Sequence, residues 1–596
     1  MTGKFIIAGV FTYVLLLAVQ IGTPVWVTHV FGLGQVDGLN RLTQVGSAQS
    51  LNFYLGRMEE LVWGPAVAVL SGILLVLIAL GPLKNISGLR YCGVIFLFLV
   101  ATKWNVLLFP PYGDSVGGPF AEGWWLARHG FDYIGLLNQP GYAQGGPKAY
   151  MTSAFPTYLA VMYTLFSSVK LFLVVNHLVF FAMAAGVAAF VRSIARRIFC
   201  IETASLLAAL ILSWPVFQSQ LEALNMELPS LFFAVACAWA LARGRIHWAG
   251  AAALVSLFFK GSGIFACAGF FCFGLLEWRG EKDPLRRTAW LFWGLGLTGA
   301  AVLVVALKFL MGDQHASAGM ISPLVGWASL RQFPITYFYI ANIALFTVWV
   351  LVKHSKKSGP ANASDPECAA VRINTLMLIF AGMWFLLFLN FVAVSPRYRV
   401  AVYPFLLFSL VWMLARVLPW RMIQVAGLCA GILLVQCNAY GWRNTYIGVD
   451  YVLTEENLQY RSDLKLYQEL ARTVEEKYAR FPVVVAPFIS AQVLAIPDFG
   501  YVQHSRDVVI YGFNCLYGGI RAYPGLEGLD ISRTIYTTMA IDQGSKEMPY
   551  PVHPNDKILE VVEWGNRKAW IFMGGFSIDM MRKIQTYLML KQGKQS

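Results

Sequence analysis

Asp114 is the residue best placed to act as a base in this 596-residue sequence. It stands five residues after an apolar run ends, in the segment PPYGDSVGGPF, between Pro111 and Gly117. A carboxylate held by a rigid turn at a membrane edge can accept a proton from a substrate hydroxyl. The alternative is a solvated loop acid, or a cap for a helix beginning near Pro119. Eight positions on, Glu122 opens a helical pattern with Trp124, Trp125, Arg128 and His129. An amphipathic helix with its aromatics in the headgroup zone accounts for that pattern without catalysis; otherwise Glu122 orients an acceptor or joins Asp114 around a cation.

Three other places set charge beside apolar sequence. Glu227 lies in the short turn SQLEALNMELPS, just before a new run opens at Pro229. An acid at such depth is costly and usually faces a polar cavity, unless it only caps the helix. Lys260 divides two short apolar runs in FFKGSG. A lysine between discontinuous helices lines a cavity or pairs with an anion, the alternative being a side chain that snorkels to the headgroups. Arg397 and Arg399 flank Tyr398 in the short loop VSPRYRVAVYP. Their guanidinium forks suit phosphate, or else pair with a carboxylate such as Glu227 or with lipid headgroups. Asn176 and His177, inside an apolar run, read as hydrogen bonders between helices. Two or three carboxylates and three cations in short loops fit a reaction on a phosphate-bearing lipid whose headgroup faces outward.

The elements that must position these groups are membrane helices. Hydrophobic residues make up 57% of the chain and charged ones only 13%, with a mean hydropathy of +0.58; a soluble protein carries about 25% charged residues. An all-α polytopic membrane bundle follows, and an ordinary cytosolic enzyme, a disordered chain and a disulfide-rich secreted scaffold are excluded. The net charge of +14 sits mostly in short loops, which is a topology signature. No basic patch with interleaved aromatics points to nucleic acid. Most of the nine cysteines lie in apolar runs, and Cys515 alone lies in the long polar tail, which therefore has no internal disulfide. Zinc spacing, Walker and dinucleotide glycine motifs are missing, so neither a metal nor another cofactor is expected.

Runs long enough to cross a bilayer, at roughly 20 residues each, occupy 5–28, 62–81, 91–109, 171–191, 203–220, 229–243, 247–259, 261–277, 290–311, 336–353, 374–391, 400–418 and 422–440. The first is long and shows no cleavage site, so it is read as a span and not as a signal peptide. With the N-terminus in the cytoplasm, basic residues such as Arg192, Arg196, Arg197, Arg286 and Arg287 fall in inner loops, as the positive-inside rule requires. That assignment makes 152–170 a helix lying at the outer interface. It also puts the Gly/Pro-rich, aromatic loop 110–150 and the tail outside. A transmembrane domain over 1–442, with interfacial helices in 110–170, is thus followed by an extracytoplasmic domain over 443–596. The tail mixes a helical pattern at 461–479 with strand-like runs at 483–487, 507–511 and 569–573, the signature of a small α/β or α+β domain.

The order of these features resembles the GT-C class of membrane glycosyltransferases, which includes the protein O-mannosyltransferases and the bacterial aminoarabinose transferase. The resemblance is carried by PPYGDSVGGPFAEGWWLARHGFDY, GPKAYMTSAFPTYLAVMYTLF, FVRSIARRIF with ALNMELPSLFF, and FFKGSG with SPRYRVAVYPFLLF. Asp114 is followed by Ser115, where relatives often carry a second acid. The resemblance implies a polyprenyl-phosphate-linked sugar donor and an active site at the extracytoplasmic face. Asp114 would be the general base, and Arg397, Arg399 and Lys260 would hold the donor phosphate. Glu122, Glu227, Tyr398 and Lys148 would hold sugar and acceptor, and no metal is implied. The acceptor, whether glycan, lipid or protein, is not read from the sequence, and a bacterial inner membrane is the expected location. The competing reading is a lipid-linked-sugar flippase or secondary transporter with its substrate at the helix break around Lys260.

Overall fold

The computed structural model describes residues 2–30, 58–81, 85–113, 115–139, 153–310, 339–348, 366–388, 396–417, 421–438, 460–514, 519–521, 533–538, 541–542, 557–565 and 567–573, together with Asn52, Gly56, Lys148 and Leu458. A helix occupies every apolar run. In chain order these are α1 (Thr2–Val30), α2 (Gly64–Leu80), α3 (Gly88–Thr102), α4 (Ala121–Arg128), α5 (Tyr133–Leu137), α6 (Ala154–Leu165) and α7 (Val169–Ala195). Next come α8 (Ile201–Ser213), α9 (Pro215–Glu222), α10 (Glu227–Ala242), α11 (Ile246–Phe259), α12 (Ile264–Gly280) and α13 (Pro284–Leu310). The last apolar helices before the tail are α14 (Tyr339–Val348), α15 (Pro366–Phe388), α16 (Tyr403–Val417) and α17 (Arg421–Asn438). Among the described residues four stretches, Val169–Ala195, Gly261–Gly280, Pro284–Leu307 and Glu367–Leu386, are long and apolar enough to cross a membrane, with a fifth if a bent pair counts as one span. Each of the thirteen runs contains helix among its described residues, but most of the described helices are shorter than a full span.

That bent pair corrects the sequence reading of 203–220 as one continuous span. α8 and α9 meet at 60°, because Pro215 forces the residue before it out of the helical region. Trp214 is accordingly extended, at φ −64° and ψ 127°. Within the stretch 152–170 the chain forms the 12-residue α6, capped by Ser153 Oγ, which accepts from the Phe155 N–H at 3.2 Å, and α7 already opens at Val169. At about 1.5 Å per residue α6 falls well short of a bilayer. Phe120 packs edge-on against Phe155 and Phe172, with ring centroids 6.3 and 6.2 Å away. The loop before α4 is thereby pinned to α6 and α7.

The tail is built on α18 (Tyr460–Lys477), α19 (Phe488–Ala495) and a seven-stranded sheet. Its strands are β1 (Val483–Pro487), β2 (Asp507–Asn514), β3 (Gly519–Arg521), β4 (Thr534–Thr537), β5 (Ile541–Asp542), β6 (Lys557–Trp564) and β7 (Arg567–Met573). β1 runs parallel to both β2 and β4, in register Val485 with Val509 and with Tyr536. Buried on both faces, it reads as a continuous run of valines. β4, β5 and β6 all pair antiparallel with β7. α18 buries Tyr460, Leu464, Tyr467, Leu470, Ala471 and Val474, the i, i+3, i+4 stripe of a helix laid on a sheet. The mixed α/β character matches the sequence reading, which found β1, β2 and β7 but none of the other four strands.

Candidate functional site

Three charged side chains from distant segments converge at the helix break around Lys260. α11 ends because Lys260 is extended, at φ −154° and ψ 136°. The chain then turns through Gly261–Gly263 into α12. A Cβ on Gly263 would lie 2.3 Å from the carbonyl carbon and oxygen of Ser256, so only glycine lets the two helices approach this closely. Glu227 opens α10, and Pro229 in the same first turn gives up an N–H that has no helical partner anyway. Arg397 comes from the short helical turn Pro396–Ala401.

Lys260 Nζ donates to Glu227 Oε1, and Arg397 Nε stands 3.4 Å from the same oxygen. The three side chains are 12%, 4% and 9% exposed, so their charges act in surroundings much less polar than water. Glu227 Oε2 is buried with no hydrogen-bond partner among the described residues. Such an oxygen can take a hydrogen bond from a water or a sugar hydroxyl. Ser153 Oγ donates to the Phe259 carbonyl, which ties the start of α6 to the break.

A second buried cluster sits one turn upstream. Glu222, with no exposed side-chain surface, ends α9 and pairs with Lys103. Arg461 of the tail forks onto it, Nε donating to Oε2 and Nη2 to Oε1, each at 2.9 Å. Tyr460 Oη donates to Oε2 at 2.8 Å, and Lys103 Nζ also reaches Gln218 Oε1 at 3.3 Å. A bidentate guanidinium with two further donors is what a fully buried carboxylate requires. The turn joining the two clusters passes through Leu224 in the left-handed region at φ 53°, an uncommon conformation for leucine. Sequence reasoning picked Glu227 and missed Glu222; the available signal was a second acid in the same turn.

Other expected residues are placed as follows. Glu122 is buried in the first turn of α4. Lys148 Nζ donates to the Leu137 carbonyl at 3.0 Å, which leaves it apart from the Lys260 cluster in its bonding. Asp114 and the side chains of Tyr398 and Arg399 lie outside the described residues. Asn176 accepts from Tyr158 Oη at 2.9 Å and donates to the Phe172 carbonyl at 2.8 Å. His177 meets the carbonyls of Leu173 and Glu222. Both are interhelical hydrogen bonders, as read from the sequence.

The tail closes on the segment 111–128, a set of contacts that no local pattern announced. Tyr112 Oη donates to Asp463 Oδ2 and Tyr501 Oη to the Pro111 carbonyl, each at 2.8 Å. Trp124 Nε1 and Arg128 Nη2 both donate to Asp498 Oδ2, at 2.7 and 2.6 Å.

No protein-family model matches the chain, and no curated protein matches it. Among solved structures, the crystal structure of ArnT from Cupriavidus metallidurans bound to undecaprenyl phosphate is similar over 80% of this chain and 97% of that one. The identity is 13% and the TM-score 0.41, too distant a likeness to bear on activity.

Proposed function

We propose that the chain is an integral-membrane glycosyltransferase that moves a sugar from a polyprenyl-phosphate donor to an acceptor hydroxyl at the extracytoplasmic face, with inversion. The observation that supports this best is the meeting of Lys260 and Arg397 on one buried carboxylate. Fixed cations in a water-poor site stabilise charge that develops on a departing phosphate. Glu227 holds them in place when no donor is bound.

In the proposed reaction Asp114 takes the proton of the acceptor hydroxyl. The acceptor oxygen bonds to the anomeric carbon as the bond from that carbon to the phosphate oxygen breaks. The electron pair stays on the polyprenyl phosphate, where Lys260, Arg397 and Arg399 meet it. Glu122, Glu227, Tyr398 and Lys148 are assigned to sugar and acceptor, and the scheme needs no metal ion. α6 and the loop 110–150 keep out water that would hydrolyse the donor.

The test uses the purified chain in nanodiscs with radiolabelled polyprenyl-phosphate sugars, one hexose and one pentose at a time. Sugar leaving the lipid, by transfer or slow hydrolysis, in a manner that depends on Lys260 and Arg397 is the expected result. Intact donor crossing the bilayer of reconstituted vesicles, with no sugar released, would replace the transferase by the flippase reading.

A further inference from the structure

We infer that the first turn of α18 is a strut: Tyr460, Arg461 and Asp463 are positioning residues that hold the segment 109–120 at a fixed place relative to the turn 222–227. All three are buried, and they reach in two directions. Tyr460 and Arg461 bond to Glu222, five residues before the Glu227 that binds Lys260 and Arg397. Asp463 accepts from Tyr112 Oη at 2.8 Å. Its other oxygen, Oδ1, is 2.8 Å from Arg567 Nε on β7, so the strut is anchored in the sheet. The Tyr112 ring sits between those of Tyr460 and Tyr467, with centroids 5.6 and 6.4 Å away. Beneath this turn, Phe109 carries Arg461 and Lys465 over its face.

The two ends of this connection belong to different halves of the proposed site. Polar groups shielded from competing water hold a loop and a helix turn in fixed relation, and this hub is built from such buried groups. Tyr501 and Gln492 also support the same segment, donating to the carbonyls of Pro111 and Gly117. The tail thereby acts on the chemistry through the outer segment, without touching substrate. Only that catalytic consequence rests on the proposed transferase reading.

The experiment is hydrogen–deuterium exchange on the full chain in nanodiscs, with Tyr112→Phe, Asp463→Ala and the double variant. Tyr112→Phe keeps the ring and removes one hydroxyl, so folding is preserved. Each single variant is expected to speed exchange in 109–120 while 483–511 stays protected, and the double variant should be no worse than Asp463→Ala alone, because that change already removes the Tyr112 bond together with the Arg567 pair. Where sugar transfer is measurable, kcat should fall about tenfold, the size of one hydrogen bond to a charged group, with donor KM unchanged. Arg472→Ala, on the exposed face of α18, should change neither reading. Unaltered exchange in 109–120, or effects that simply add, would overturn the strut. Faster, non-additive exchange in a chain that transfers no sugar would uphold the strut and remove the transferase reading alone.

Discussion

Replacing Lys260 with methionine isolates the proposed phosphate contact, because the side chain keeps most of its apolar body and loses the ammonium with its charge and its N–H donors. Glu227 is not left alone in the variant, since Arg397 Nε remains 3.4 Å from its carboxylate. The size of the effect follows from burial. Lys260 is 12% exposed and its partner 4%, so an effective dielectric near 20 applies in place of 80. Two unit charges at about 4 Å then interact by about 4 kcal/mol, against about 1 kcal/mol in bulk water. At about 1.4 kcal/mol per factor of ten, the upper limit is about a 1,000-fold loss of rate. Desolvation of the phosphate returns part of this, leaving a loss on the order of 100- to 1,000-fold. Because charge grows on the phosphate as the glycosidic bond breaks, kcat should fall more than donor KM rises. Turnover of a radiolabelled polyprenyl-phosphate sugar by folded Lys260→Met protein in nanodiscs measures both. A kcat/KM within about threefold of wild type would refute the assignment of Lys260 to the leaving group.

Glu227→Gln strands two buried cations and should lower stability by about 3–5 kcal/mol; added polyprenyl phosphate should then raise the thermal midpoint more in the variant than in wild type, and a smaller rise would contradict a phosphate site here. Gly263→Ala drives a methyl group into the Ser256 carbonyl and should cost about 1–3 kcal/mol in thermal unfolding, whereas Gly280→Ala, with nothing within 4 Å, should be neutral. In the tail, burial pushes the Glu475 carboxyl up, but the N–H groups of Gln503 and His504 and the His504 ring more than offset this and hold it below its usual value. A depressed carboxylate contributes stability above its unfolded pKa, and that contribution is lost as pH falls through the folded one. Acidification below about pH 4.5 should therefore loosen residues 503–507 in wild type, and Glu475→Gln should flatten that response in pH-dependent hydrogen exchange.

How much could be read from the sequence followed from the range of the interaction involved. A bilayer demands long apolar runs, so the four described helices long and apolar enough to cross one announced themselves in hydropathy. The bend at Trp214–Pro215 did not, because both sides of the proline are equally apolar and only backbone dihedrals separate them. β1, β2 and β7 are apolar runs bounded by polar residues and were visible. β4 is four residues long and buried at every position, which leaves no alternation to detect. Lys260, Glu227 and Arg397 were found because charge inside apolar sequence is conspicuous wherever it lands, although their pairing was only one of several options. Arg461, Tyr460 and Asp463 sit in an ordinary amphipathic helix rich in charge, where nothing local separates a buried ionic anchor from a solvated face. Their partners, Glu222 and Tyr112, lie hundreds of residues away in the chain. A sequence read by local periodicity therefore identifies charges that violate their surroundings and passes over those that conform to them, and in this fold the second kind joins the tail to the membrane domain.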